Sequence, residues 1–426
     1  MGRQPKQGLG AEARGGLSAK AAGTGKDAGD GRRADAPALA AIGLEAEFGL
    51  VVDGVALKVE DVFRDPRDFI GGSLIHRVGT SYHLPTGGAV YFDTGVIEVA
   101  TPLIEIERGC GTRAGRSLWE AIRAVSDGLV RWEARTGRRS ALTGFSMHYN
   151  VSFEHPDNRP GRRLDDLALL LAYILPPPVM VLATNRSSTG VGVRPRGTRI
   201  EVTVDFTPSA PLTVATATLI TGIVRAVMQW PGYGLDMLAA HGIPTIAGFQ
   251  PIPHTTRRGW LARADCYPQN PFTTDIDTPI WRAPSTSDET SAAMSLRQIA
   301  DRIFHLFRWP IARMADPLTF RLIGAVLSGR APSLLDLPER PPAYQDVGRL
   351  CEWGTAFSAK VARSRYERVL IRALSGTPLR IGPHVLTPLG THGWTRVVFR
   401  REDDGARQTM SLDALLPHLN TWERSA

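Results

Sequence analysis

Four segments of this chain alternate apolar and polar side chains with a period of two, and the polar set in each holds residues that bind ions. In Gly43-Leu-Glu45-Ala-Glu47-Phe-Gly49, Leu44, Ala46 and Phe48 alternate with two glutamates. Ser146, His148, Asn150 and Ser152 alternate with Met147, Tyr149 and Val151, and Arg199, Glu201, Thr203 and Asp205 with Ile200, Val202 and Val204. Tyr91-Phe-Asp93-Thr-Gly-Val-Ile-Glu98 adds two more acids. A period of two belongs to β-strands and sends the two sets to opposite faces of a sheet. One such face suits the solvated side of an antiparallel sheet. Four in one chain point to a single sheet whose concave side is a polar site.

Carboxylates two residues apart on one strand face repel each other and are costly to desolvate unless a metal ion or arginine neutralises them. Glu45 and Glu47 are therefore candidate metal ligands, with Glu98, His148 and Glu201 offering further residues of ion-binding type on the other polar rows, and hard oxygen donors suit Mg²⁺ or Mn²⁺, especially with phosphate oxygens completing the shell. Arg194-Pro-Arg196-Gly-Thr-Arg199 places three guanidiniums beside the Glu201 strand. They would neutralise a transferred phosphoryl group. With Asn150, on the face of His148, they form the nucleotide-binding set. Arg199 is also a catalytic candidate, as is Asp93, which would accept a proton from an attacking amine or water. Plainer roles fit the same residues: Asp93 as a turn cap before Thr94-Gly95, Glu47 as a solvated acid, His148 as a structural histidine, Arg194 and Arg196 as loop charges, and Asp205 as an arginine's partner. The chain has no G-x-x-x-x-G-K-[ST] and no G-x-G-x-x-G, so a nucleotide would need a sheet-based cradle.

The 426 residues, 43% hydrophobic and 22% charged, allow two or three domains with a large core. Residues 1–36 are rich in Gly and Ala, carry almost no large apolar side chains, and are expected to be a disordered tail. No apolar leader follows Met1 and no apolar run reaches membrane-spanning length, so a cytoplasmic protein is expected. Cys110, Cys266 and Cys351 are widely spaced and indicate neither disulfides nor a zinc site. The net charge of +8 suits anionic partners, but no nucleic-acid-binding signature accompanies it.

Strands are expected between residues 37 and 101, then helix 112–136, strand 144–153, helix 164–174, a breaker at Pro176-Pro-Pro178, and a polar loop 184–197. Strand 198–206 and helix 211–228 follow. Residues 231–287 show few clear periods, and further helices are expected at 288–307, 317–327 and 356–374, with a small β module and short helix after Thr377. The tryptophans at 260, 281, 309, 353 and 394 read as core or interface anchors, and His76, His83 and His254 have nothing beyond their type to mark them. Strands and helices in mixed order favour α+β with an antiparallel sheet curved around the site and flanked by helices. The domains read as a tail 1–36, a catalytic domain 37–375 and a C-terminal β domain 376–426.

In order, Gly43 to Gly49, Tyr91-Phe-Asp93-Thr-Gly95, Glu98-Val-Ala-Thr101, His148-Tyr-Asn150 and Arg199-Ile-Glu201-Val-Thr-Val-Asp205 resemble the motifs of the glutamine synthetase-like carboxylate-amine ligases. The likeness is greatest to the Pup ligase and Pup deamidase group, with an echo of glutamate-cysteine ligases at Glu98 to Pro102. It covers roughly residues 41 to 230. The resemblance implies a glutamine synthetase-like catalytic fold, ATP and Mg²⁺ as cofactors, Glu45, Glu98 and His148 as ligands, Glu201 at a further ligand position, Arg199 on ATP phosphates and Asp93 as the base. It implies amide bond formation between a carboxylate, plausibly a glutamate γ-carboxyl, and an amine through an acyl phosphate. The rival outcomes are an amide hydrolase of the Pup-deamidase type and a nucleotide-binding protein without catalysis. The segment after Asp93 is shorter than in Pup ligases, and Tyr149 stands where they commonly carry a glutamate.

Overall fold

The alternating segments lie side by side in one sheet. The computed structural model describes residues 39–72, 74–76, 81–152, 162–254, 259–283, 292–357 and 361–424, so the tail expected at 1–36 lies outside the described residues. The strands in chain order are β1 (Ala41–Val52), β2 (Val55–Leu57), β3 (Ile75–His76), β4 (Tyr82–His83), β5 (Ala89–Asp93), β6 (Val96–Ala100), β7 (Ile104–Glu105), β8 (Ser140–Ser152), β9 (Val191–Arg196), β10 (Arg199–Asp205), β11 (Ile252–Pro253) and β12 (Trp260–Ala262). Their spatial order is β11-β12-β9-β10-β8-β1-β6-β5-β4-β3, with β2 and β7 also pairing with β1, and every pairing is antiparallel. This is an α+β fold with the polar segments on the adjacent strands β10, β8, β1 and β6 and the neighbouring β5.

The other face supplies the core. Leu44, Ala46 and Phe48 of β1, Met147, Tyr149 and Val151 of β8, Ile200, Val202 and Val204 of β10, and Ile97 and Val99 of β6 are no more than 2% exposed. The helix Cys110–Thr136 presents Ala114, Leu118, Ala121, Ile122, Val125 and Leu129 to that core and stops at Gly137, whose φ of 73° closes the last turn. It packs against helix Ala210–Val227, where a Cβ on Gly115 would lie 2.9 Å from the Val214 side chain, so glycine permits the approach. Helix Ala210–Val227 is long and apolar enough to cross a membrane by length and composition, and most of it is buried here as a core helix.

Three expectations need correction. Pro176-Pro-Pro178 ends helix Leu164–Ile174 but also begins the helix Pro176–Ala183, bent 58° from the first. Prolines fit a first helical turn because its N–H groups have no intrahelical acceptor. The expected loop 184–197 contains β9, which pairs with β10 through a turn at Gly197, and Pro195 falls beyond the stretch that β12 pairs with. Helices placed at 288–307 and 356–374 begin at Leu296 and Arg365, where Ser295 with Gln298 and Ser364 with Glu367 form capping boxes.

After residue 377, β13 (Leu379–Ile381), β14 (His384–His392), β15 (Arg396–Arg401) and β16 (Arg407–Ser411) form a four-stranded meander followed by short helices. Leu386, Val397, Phe399, Leu415 and Trp422 form a second core with Tyr366 and Val369 of helix Arg365–Leu374. The buried His83 ties this module to the large sheet, its Nε2 lying 2.9 Å from Thr391 Oγ1.

Candidate functional site

Strand register gathers the site. On β1, Glu45 stands opposite His148 of β8, and Glu47 opposite Ser146 of β8 and Glu98 of β6. On β10, Thr203 stands opposite His148 and Glu201 opposite Asn150. Two trios result, Glu45–His148–Glu201 and Glu47–Glu98–His148, and in each the ligand atoms lie within 4.8 Å of one another. His148 belongs to both: its Nδ1 is 3.3 Å from Glu45 and its Nε2 3.8 Å from Glu47.

The charges are unequally compensated. Burial works against the ionised form of Glu45, but the His148 hydrogen bond and charge, with Arg199, hold its pKa below the usual carboxylate range. Burial likewise opposes protonated His148, yet Glu45, Glu201 and Glu47 raise its pKa. Glu98 is pushed up to about 8 by burial and by the Glu45 charge, although the Tyr91 hydroxyl donates to it at 2.5 Å. Glu201 is paired with Arg194, and with Arg196 at 3.1 Å. Ser146 donates to Glu47 at 2.5 Å, and Arg199 donates to Asn150 Oδ1 at 2.7 Å. Four glutamates, a shared imidazole and no thiolate make a donor set that fits a hard divalent ion. Glu98 has the most to gain from one.

The remaining predicted residues fall around this centre. Arg194 and Arg196, read as loop residues, lie on β9 with their guanidiniums on Glu201. Asp93 is exposed at the end of β5, two residues from Tyr91 and so on the strand face that meets Glu98. The short segment after it is a two-residue hairpin turn in which Thr94 has φ 52°, in the left-handed region, and donates to Asp93 Oδ1 at 2.9 Å.

Sequence reasoning passed over several residues here. Tyr91 shares the parity of Asp93, a sign of a common face. Trp394, expected only to anchor a core or interface, lines a hollow of about 100 Å³ with Glu45, Thr101, Asn150 and Arg199. Nothing local marks it, since the docked C-terminal module brings it there. A larger cavity of about 750 Å³ opens at the opposite end of β8 and β10, lined by Phe145, Ser146, Thr203 and Asp205 with Asn185 and Arg340 from outside the sheet. The metal-ligand candidates thus lie between two hollows.

No protein-family model and no curated protein matches the chain. Among solved structures, it is similar to the crystal structure of the complex between Prokaryotic Ubiquitin-like Protein Pup and its Ligase PafA, with a TM-score of 0.51 at 13% identity over 92% of this chain and 92% of that chain. The large antiparallel sheet, its helices and the C-terminal four-stranded sheet match the fold of that protein.

Proposed function

We propose that the chain is an ATP- and Mg²⁺-dependent ligase that joins a carboxylate, of the glutamate γ-carboxyl type, to an amine. The observation that carries this reading is the register that packs Glu45, Glu47, Glu98 and His148 together and leaves the buried Glu98 carboxyl in need of a cation. Those four residues would hold divalent ions, which when bound supply charge neutralisation at phosphate oxygens. Arg199 and Asn150, at the hollow walled by Trp394, would orient the nucleotide, the indole face suiting a purine. Arg194 and Arg196 pair with Glu201 across the β9–β10 ladder.

In the proposed reaction a carboxylate oxygen attacks the γ-phosphorus and ADP leaves. The amine nitrogen then attacks the acyl carbon, inorganic phosphate departs with the former carboxylate oxygen, and Asp93 takes the nitrogen's proton. Because PafA was solved with Pup, a peptide or small protein tag joins small acids as a candidate carboxylate substrate. Amide hydrolysis would use the same residues with water in place of the amine.

The test is thermal stabilisation by ATP with Mg²⁺ in the wild type and in Glu45→Ala and Glu98→Ala, followed by ADP release against panels of acids and amines. A shift of several degrees lost in both variants, with ADP release that requires an amine, supports the ligase. Amide cleavage without net ADP release supports the hydrolase. No shift in the folded wild type overturns the nucleotide site.

A further inference from the structure

Two features of the sequence take no part in the reaction above, the net charge of +8 and Trp309. The structure brings them to one place. Helices Leu296–Leu306, Arg308–Met314 and Pro317–Leu327 form an outer layer over the core helices Pro176–Ala183 and Ala210–Val227. The second of the three packs closely on Ala210–Val227, since a Cβ on Gly222 would lie 2.8 Å from Ile311. The first and third meet through Phe304 and Phe320, whose ring centres are 5.5 Å apart. Helix Ala210–Val227 covers the apolar face of the sheet, where its Thr216 bonds Tyr149, so the outer layer stands on the far side of the molecule from the metal-ligand row.

This layer exposes large apolar side chains and leaves its charges uncompensated. Trp309 is 66% exposed, two residues from the inward Ile311 and so about 200° round the helix from it. Leu318, on the side of its helix away from the buried Ile323, is 71% exposed, and Leu306, three residues before Trp309, is 45% exposed. Arg302, Arg308, Arg313, Arg321 and Arg330 are exposed as well, and among the described residues none of them closes an ion pair. The acids nearby are engaged: Asp301 lies 3.3 Å from His305, and Asp316 accepts from the Leu318 and Thr319 amides and from the Thr112 hydroxyl. Residues 301–330 hold five arginines against two aspartates, a net +3 of the chain's +8. The Arg308 guanidinium lies 4.6 Å over the Trp309 ring, so charge and indole present together.

Charge complementarity selects the occupant. A second copy of the chain would set these arginines against their own kind, and like charges brought together across an interface are costly. A nucleic acid would use the charge and could stack on the indole, but it would leave Leu306 and Leu318 in water. An anionic lipid surface takes all three groups: arginines among phosphate head groups, the indole at the interface, and leucines at the acyl boundary. We propose that this helical layer docks on a bilayer surface carrying anionic lipids, through Trp309 and Leu318 with the five arginines. The inference is independent of the ligase reading. A chain docked this way keeps the metal-ligand face of its sheet turned to water and to soluble substrates.

The test is co-sedimentation of the full chain with vesicles of phosphatidylcholine alone and of phosphatidylcholine mixed in equal parts with phosphatidylglycerol. The expected result is binding to the mixed vesicles only, weakening as salt is raised. It should be at least about tenfold weaker in the double variant Arg308→Glu/Arg313→Glu and several-fold weaker in Trp309→Ala and Leu318→Ser. All four side chains are exposed, so each variant should keep the wild-type Tm, which shows that it is folded. No binding to the mixed vesicles, equal binding to both kinds, or binding undiminished in the charge-reversed variant would each overturn the proposal. Poly-L-glutamate or duplex DNA held through the same residues by a chain that ignores mixed vesicles would give the surface to a protein or a nucleic acid instead. A dimer that Trp309→Ala dissociates, in place of vesicle binding, would give it to a second copy.

Discussion

Asp205→Asn should make the protein more stable, and the gain should depend on pH. The native carboxyl has its pKa raised from 3.8 to about 6, chiefly by burial. A raised carboxyl pKa means that the folded state binds the proton more tightly than the unfolded state does. The penalty for ionising is therefore absent below the unfolded value of 3.8, grows through the window between 3.8 and about 6, and is complete above it. Roughly two units correspond to at most ~3 kcal/mol. With about 2.1 cal/mol/K of unfolding entropy per residue, a chain of 426 residues has roughly 0.9 kcal/mol/K, so the full gain is about 3 °C in Tm. The isosteric amide can still accept the Asn185 hydrogen bond, so packing should be unchanged. Differential scanning calorimetry at pH 5, 6, 7 and 8 should show Asp205→Asn ahead by about 3 °C at the upper values and by roughly half of that at pH 5. A difference that does not vary with pH, or a variant less stable than the wild type at pH 8, would refute the reasoning.

Three further outcomes follow from the same geometry. Glu98→Gln removes a buried carboxyl pushed up to about 8 by burial and by Glu45, so it should raise the metal-free Tm while abolishing the response to Mg²⁺ with ATP, two opposite changes readable in one thermal-shift series. Gly144→Ala forces its new Cβ against Phe206 and should cost about 1–3 kcal/mol, measured by denaturant titration. Thr94→Gly relieves a β-branched residue of its positive φ and should stabilise the β5–β6 hairpin by about 1 kcal/mol, seen as slower amide exchange there.

The sheet and the centre of the site were legible because alternation is a local signal: the parity of Glu45, Glu47, His148 and Glu201 follows from neighbours in sequence. Register is not local. The pairing of Glu201 with Arg194 and Arg196 depends on β9 being a strand, and the mix of Ser, Thr, Gly and Pro between residues 184 and 197 looks like a loop without its partners. Pro176 to Pro178 misled because proline both ends and begins helices. Trp394 lies almost 200 residues from Arg199, and no pattern near it reveals that His83 and Thr391 bring the two together. Phe145 was invisible for a different reason: alternation assumes a regular ladder, and Phe145 is the one residue inserted between the Glu47–Ser146 and Phe48–Gly144 pairs.

The sharing of His148 between the two trios has a consequence for order. A neutral imidazole has a single lone pair, on one ring nitrogen. Nδ1 faces Glu45 and Nε2 faces Glu47, so only one trio at a time can count the imidazole as a donor. A first divalent ion would take it, and a second would find two carboxylates and an N–H. Its coordination shell would have to be finished by oxygens that arrive with the nucleotide. Two ions would then load in sequence, the second entering as a passenger of the phosphate chain, and a titration with Mg²⁺ alone should saturate at one per chain.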